Sequence, residues 1–167
     1  VRSLEEVIVT ANRREESIQS IATSIQAVTG SDLDNRGISN FSEMAEVVSG
    51  LDLVQPEGAI SASVYIRGVG SSGTSAADPS VGVIVDGVYQ IRQGAVFTEM
   101  MDIERVEVLR GPQGTLFGKN TTAGAIRIET AKPQTDEFSG RVQTVVGNMD
   151  TVELRGLVNV PLIEDKL

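Results

Sequence analysis

Between Gly73 and the apolar run "VGVIV" that opens at Val81 there are only a few residues, and one of them is Pro79. No other feature restricts the fold of this chain as much. The preceding stretch, "SVYIRGVGSSG", is a strand-like run ending in glycines that satisfy G-x-G-x-x-G at Gly68, Gly70 and Gly73. Asp86 follows where a ribose-binding acid would sit. A dinucleotide site, however, needs a helix directly after its glycines to receive the pyrophosphate, and a parallel βαβ unit needs a crossover of about a dozen residues or more. A short polar stretch containing proline supplies neither. The doubly wound α/β folds are excluded, and the run reads as a flexible, polar loop at a strand tip. The second glycine cluster, "GPQGTLFGKNTT", fails as a phosphate loop. Gln113 stands where the first glycine is required, and Lys119 is followed by Asn120.

What remains is a succession of short strands punctuated by glycine. "LEEVIVTANRREESIQS" pairs a β-branched run (Val7, Ile8, Val9) with a polar tail, an extended strand-former followed by a linker. "TSIQAVTG" is a strand ending at Gly30. Two helical pieces follow: "GSDLDNRG", capped by Ser31 or Asp32 and stopped at Gly37, and "SNFSEMAEVVSG", capped by Ser39 or Asn40 and ended by Gly50. The second places Phe41, Met44, Ala45 and Val48 on one face. "LDLVQ", "SVYIR", "VGVIVDGVY", "IERVEVLRG" and "GAIRIET" then read as strands, with Asp86-Gly87 a two-residue hairpin signal and "GTLFG" a tight or single helical turn.

Past "AKPQTDE" two ten-residue segments alternate, one face largely apolar and the other mostly polar. "FSGRVQTVVG" sets Phe138, Gly140, Val142, Thr144 and Val146 on one side; after the turn "NMD", "TVELRGLVNV" sets Val152, Leu154, Gly156, Val158 and Val160 on one side. The length and dyad period are those of a transmembrane β-hairpin, and equally those of an amphipathic hairpin in a soluble sheet. An isolated pair is marginal in water and leaves open edges. Its position at the end of the chain therefore reads as the start of something truncated.

Composition narrows the chemistry. The 167 residues suffice for one domain with a core and a small second piece. Fourteen Lys plus Arg against 23 Asp plus Glu give a net charge of −9, which argues against nucleic acid as a partner. With no Cys and no His there is no thiol nucleophile, no imidazole base and no zinc cluster of the usual ligands. No enzyme, cofactor or resident metal is expected. No apolar run is long enough for a transmembrane helix. The start at Val1 rather than Met reads as a processed or excised segment.

Several stretches together resemble the plug domain of TonB-dependent outer-membrane receptors. "EEVIVTA" is similar to the TonB box. "YIRG", "DPSVGVIVDGVY", "IERVEVLRGPQGTLFG" and "TTAGAIRIET" follow in the family's order, and "VEVLRGPQGTLFG" with "AGAIRI" is the most specific part. The resemblance implies an α+β plug with a small mixed sheet and short helices, seated in a barrel of about 22 strands. It divides the chain into box and linker (1–16), plug (17–132), and linker with the first two barrel strands (133–167). It implies residence in the outer membrane of a Gram-negative bacterium, with the N-terminus in the periplasm. The implied function is energy-coupled uptake of a scarce nutrient, with a ferric siderophore the leading cargo. Cobalamin, an oligosaccharide, or a barrel-less periplasmic binding module are the alternatives.

Site residues follow from the same likeness. Glu5, Glu6, Val7, Ile8, Val9, Thr10 and Ala11 would be gripped by TonB through strand addition, where main-chain hydrogen bonds give affinity. Arg67 and Arg110, each ending a strand before glycine, would lie at the plug–barrel interface and meet barrel glutamates; two solvated strand-end charges are the alternative. Loop-tip candidates for the ligand are Ser71, Ser72, Thr74, Ser75, Tyr89, Gln90 and Arg92, whose hydroxyls, aromatic ring and cation suit an oxygen-rich chelate and equally an ordinary polar loop. The barrel, its lipid, TonB and the ligand are the implied partners.

Overall fold

The computed structural model describes residues 8–9, 16–17, 24–55, 62–71, 78–91, 93–97, 102–148 and 152–161. The chain divides into two units, Val1–Thr130 and Ala131–Leu167.

The first unit is α+β, as expected. Its elements are β1 (Ile8–Val9), β2 (Glu16–Ser17), β3 (Ile25–Thr29), α1 (Gly30–Arg36), α2 (Phe41–Val47), β4 (Leu51–Val54), β5 (Ser63–Ile66), β6 (Val69–Gly70), β7 (Val81–Val85) and β8 (Val88–Tyr89). A 3-10 turn (Gln93–Val96), β9 (Ile103–Arg110), α3 (Gly114–Phe117) and β10 (Gly124–Thr130) complete it. Five strands form a mixed sheet in the order β3-β9-β10-β7-β8, and only β7 and β10 run parallel. β4, β5 and β6 form a separate antiparallel sheet. β1 pairs with β2, Ile8 opposite Ser17 and Val9 opposite Glu16.

Local chemistry explains the helices. Thr29, rather than Ser31 or Asp32, caps α1: its hydroxyl accepts from the Asp32 N–H while the Asp32 carboxylate accepts from the Thr29 N–H, a reciprocal capping box. Gly37 ends α1 at φ 67, a left-handed conformation that costs glycine little. Asn40 caps α2 through its side-chain oxygen. That helix stops at Val47 with Val48 already extended, so Gly50 does not end it. Gly50 turns the chain into β4 instead, at φ 72.

The predicted helix face is the core. Phe41 and Met44 are wholly buried, joined by Val64, Ile66, Val83, Phe97, Val106, Val108 and Ile126. The Phe41 and Phe97 rings stack with centroids 3.9 Å apart. Each such side chain contributes about 1.5–3 kcal/mol on leaving water, so this cluster holds α2 and the small sheet against one face of the large one. The other face carries a smaller apolar group of Ile84, Leu109 and Ala125, with Ile25, Tyr89 and Phe117 packed on it.

The glycine run is less of a loop than its composition suggested. Arg67 and Gly68 form a tight turn with φ 53 and 75, and β6 returns antiparallel on β5. Gly70 lies so close to the Tyr65 ring and the Val64 carbonyl that no Cβ fits there.

In the second unit, β11 (Ser139–Val146) pairs antiparallel with β12 (Val152–Asn159) in unbroken register. Val142, Val146, Val152, Leu154 and Val158 share one face and are 67–75% exposed, a continuous apolar strip with nothing packed on it among the described residues. The Asn159 side chain donates to the Gln134 and Glu137 carbonyls, tying the incoming segment to the hairpin.

Candidate functional site

Strand register places Arg110 at one end of the five-stranded sheet. There Ile25 opposes Leu109, Arg110 opposes Gly124, and Gly124 opposes Val81. The Ser71 hydroxyl accepts from the Ser80 N–H at 3.1 Å beside the start of β7, closing the base of the 71–80 segment. Ser71, Arg67 and Arg110 thus belong to the same end. The opposite end holds the Asp86–Gly87 turn, where the Asp86 carboxylate accepts from both the N–H and the hydroxyl of Thr130 at 2.9 Å.

Arg67 and Arg110 come together around the Ser49–Gly50 bend. The Arg67 N–H donates to the Gly50 carbonyl at 2.7 Å, and Arg110 Nη2 donates to the Ser49 carbonyl at 2.7 Å. Arg110 Nη2 also donates to Gln26 Oε1 at 2.6 Å, and Arg67 Nη2 donates to Ser24 Oγ at 3.2 Å. Every acceptor is neutral. Among the described residues no carboxylate forms an ion pair with either arginine. Burial, and then the Arg67 guanidinium, pull the Arg110 guanidinium below its ordinary value. Two like charges are thus held near each other on neutral acceptors, with no counter-ion among the described residues.

The ligand candidates do not form one cluster. Tyr89 is half-buried against the Ile84, Leu109 and Ala125 group, and its hydroxyl lies 3.4 Å from Asn120 Nδ2. Gln90 is fixed by its N–H to the Val83 carbonyl at 2.8 Å and by its side chain to the Val88 carbonyl at 3.2 Å. Ser72, Thr74, Ser75 and Arg92 lie outside the described residues, as do Glu5, Glu6, Val7, Thr10 and Ala11 of the box. Ile8 and Val9 form β1.

The strand reading of "IERVEVLRG" gave its charges no role, and the structure gives them one. Glu107 is fully buried and bonds both Arg105 Nε at 3.0 Å and Arg127 Nη1 at 3.3 Å; Arg105 continues to Glu104 and Arg127 to Glu129. Burial works against charge on Arg105, yet the Glu107 hydrogen bond and charge outweigh it and raise its proton affinity. The signal available was Arg127, an equally isolated charge in the centre of "GAIRIET", whose partner only the β9–β10 register supplies. Ser24, Gln26 and Ser49 carried no sequence signal.

This mixed sheet, with its arginine pair at one end, is that of a receptor plug. The pattern of the TonB-dependent Receptor Plug Domain family matches residues 17–125, and the chain belongs to that family. It is similar to the pesticin receptor of Yersinia pestis, 28% identical over 159 residues, covering 93% of this chain and 23% of that protein. It is similar also to the vitamin B12 transporter BtuB of Vibrio vulnificus, 31% identical over 144 residues, covering 83% of this chain and 23% of the relative. Among solved structures, the ferric yersiniabactin uptake receptor FyuA from Yersinia pestis superposes with a TM-score of 0.75 at 28% identity, over 84% of this chain and 22% of that one. The chain therefore spans under a quarter of the length of these relatives. Relatives of this kind are outer-membrane receptors and transporters of Gram-negative bacteria, not enzymes.

Proposed function

We propose that this chain is the plug portion of an energised outer-membrane importer, that it blocks and opens the pore, and that its cargo is a ferric siderophore. The observation that carries the reading is the Arg67–Arg110 pair, two guanidiniums on neutral acceptors with no carboxylate among the described residues. A plug that must sit firmly yet leave needs contacts of this kind, because an ion pair across an interface gives register and is costly to half-break. In this reading barrel glutamates supply the carboxylates. The exposed apolar strip of β11 and β12 meets lipid as the first barrel hairpin, in keeping with its dyad pattern.

The box, Glu5 to Ala11, is the periplasmic handle for TonB. Ile8 and Val9 pair as a strand within the chain, so the segment is of the kind that adds to a partner's sheet edge. Ser71, Tyr89, Gln90 and the neighbouring Ser72, Thr74, Ser75 and Arg92 are the plug's contribution to the ligand. The likeness to a ferric yersiniabactin uptake receptor favours iron. The likeness to a vitamin B12 transporter, of similar extent, supports cobalamin as the second reading.

The test is uptake by cells carrying the complete receptor, offered labelled ferric chelates, cobalamin and oligosaccharides in parallel. Accumulation of a ferric chelate, lost when residues 5–11 are deleted although the chelate still binds, is the expected result. Accumulation of cobalamin alone would replace the cargo, and undiminished import by the deletion variant would remove the box.

A further inference from the structure

Among the described residues β3 is the edge of the five-stranded sheet and pairs only with β9. It is also the first strand of that sheet along the chain. Among the described residues three side-chain bonds hold the two guanidiniums, of which two end on Ser24 and Gln26, at the start of this strand, and the third on the Ser49 carbonyl. The Arg110 N–H bonds the Ser24 carbonyl as well, at 3.0 Å. An edge strand can leave a sheet without disturbing the ladders beyond its neighbour, so β9 would keep β10 when β3 goes. What would not survive is the arrangement of the arginines: Arg67 would lose its side-chain acceptor, and Arg110 would lose one of two.

We propose that Ser24 and Gln26 are positioning residues that set the Arg67–Arg110 pair for carboxylates of the surrounding barrel, and that withdrawal of β3 by the N-terminal tether releases those carboxylates. The proposal rests on the reading that the pair meets the barrel. It adds how that contact is governed. Like charges at close range separate unless acceptors fix them, and β3 supplies acceptors that a pull on the tether removes first. The handle and the latch are then joined through one short strand.

The test uses the complete receptor in outer membranes and reads the rate at which protease cuts the plug. Arg110→Ala is expected to speed cutting about tenfold, the size of one lost hydrogen bond to a charged group. Gln26→Glu places a carboxylate inside the chain on Arg110, satisfies it there, and is expected to speed cutting to the same degree. Ser24→Ala with Gln26→Ala is expected to do likewise. In an Arg110→Gln background, Gln26→Glu is expected to add nothing further, whereas damage to the sheet itself would add to the loss. If Arg110→Ala leaves the plug as resistant as before, the barrel contact fails and the proposal with it. If Arg110→Ala loosens the plug and neither β3 variant does, or if the effects add, the contact stands and the positioning role is overturned.

A second arm addresses release. Because Ser24 and Arg110 form a hydrogen-bonded pair, Ile25 and Leu109 form the closer, non-hydrogen-bonded pair, within disulfide reach. Ile25→Cys with Leu109→Cys, oxidised, should stop uptake while ligand still binds, and a reductant should restore it. Uptake undiminished by the formed disulfide would overturn release through β3.

Discussion

Glu107 and Arg127 face each other across β9 and β10, and their side chains meet as an ion pair at 3.3 Å on the sheet's second face, with no part of Glu107 reaching solvent. Arg105 takes its other oxygen, so both oxygens of the buried carboxylate are paired with a guanidinium. Removing Glu107 takes one carboxylate partner from each of two guanidiniums, which keep Glu104 and Glu129. Glu107→Ala should therefore cost about 3 kcal/mol, the lower end for a broken buried pair. Glu107→Gln, which keeps hydrogen-bonding capacity, should cost less. Urea unfolding of the protein measures both, and a loss under about 1 kcal/mol in the alanine variant would show that the network contributes little.

Asp86 joins the tip of the β7–β8 turn to the end of β10 through its two bonds to Thr130, and does so at φ 46. Asp86→Gly keeps the backbone comfortable and loses only the bonds, at about 1 kcal/mol. Asp86→Ala loses the bonds and strains the turn, at about 2 kcal/mol. In both, the Thr130 amide should exchange its hydrogen faster. Equal stability of the two variants would show that backbone strain plays no part.

Glu43 connects helix capping to acidity. Burial pushes its carboxyl up, but the Ser39 N–H and hydroxyl and Asn40 outweigh this and hold it below its ordinary value near 4.5. A carboxyl depressed in the folded state adds stability that is complete above its unfolded value and is lost as pH falls through the folded one. Glu43→Gln should therefore be less stable than the parent near neutrality, and the gap should close below about pH 4. Melting temperatures of both proteins across that range give the answer; a gap unchanged in acid would exclude the effect.

Ile8→Pro should abolish energy-coupled uptake by the complete receptor and leave ligand binding intact. Proline removes a main-chain donor from a segment whose use depends on pairing as a strand. Uptake at the parental rate would show that the box lies elsewhere.

Local rules made much of the fold legible. Alternation and glycine punctuation located the strands. The helix face of Phe41, Met44, Ala45 and Val48 was readable from spacing, and all four are buried. Asp86-Gly87 forms the hairpin its dipeptide implied. The sheet order was not readable, because β9 lies between β3 and β10 through pairings such as Ile25 with Leu109, far apart in the chain. For the same reason the burial of Glu107 was not readable, since its partner Arg127 lies on a strand that only the fold places beside it. Arg67 and Arg110 were picked out by what precedes and follows them, whereas Gln26 is an unremarkable glutamine until the fold brings its amide to Arg110.

β10 sits in the middle of the large sheet and is the last of its strands along the chain. During synthesis β7 and β9 therefore both wait for the strand that will lie between them. A nascent chain stopped short of Gly124 has no closed sheet on which to seal its apolar side chains, so cooperative folding begins only once this final piece emerges.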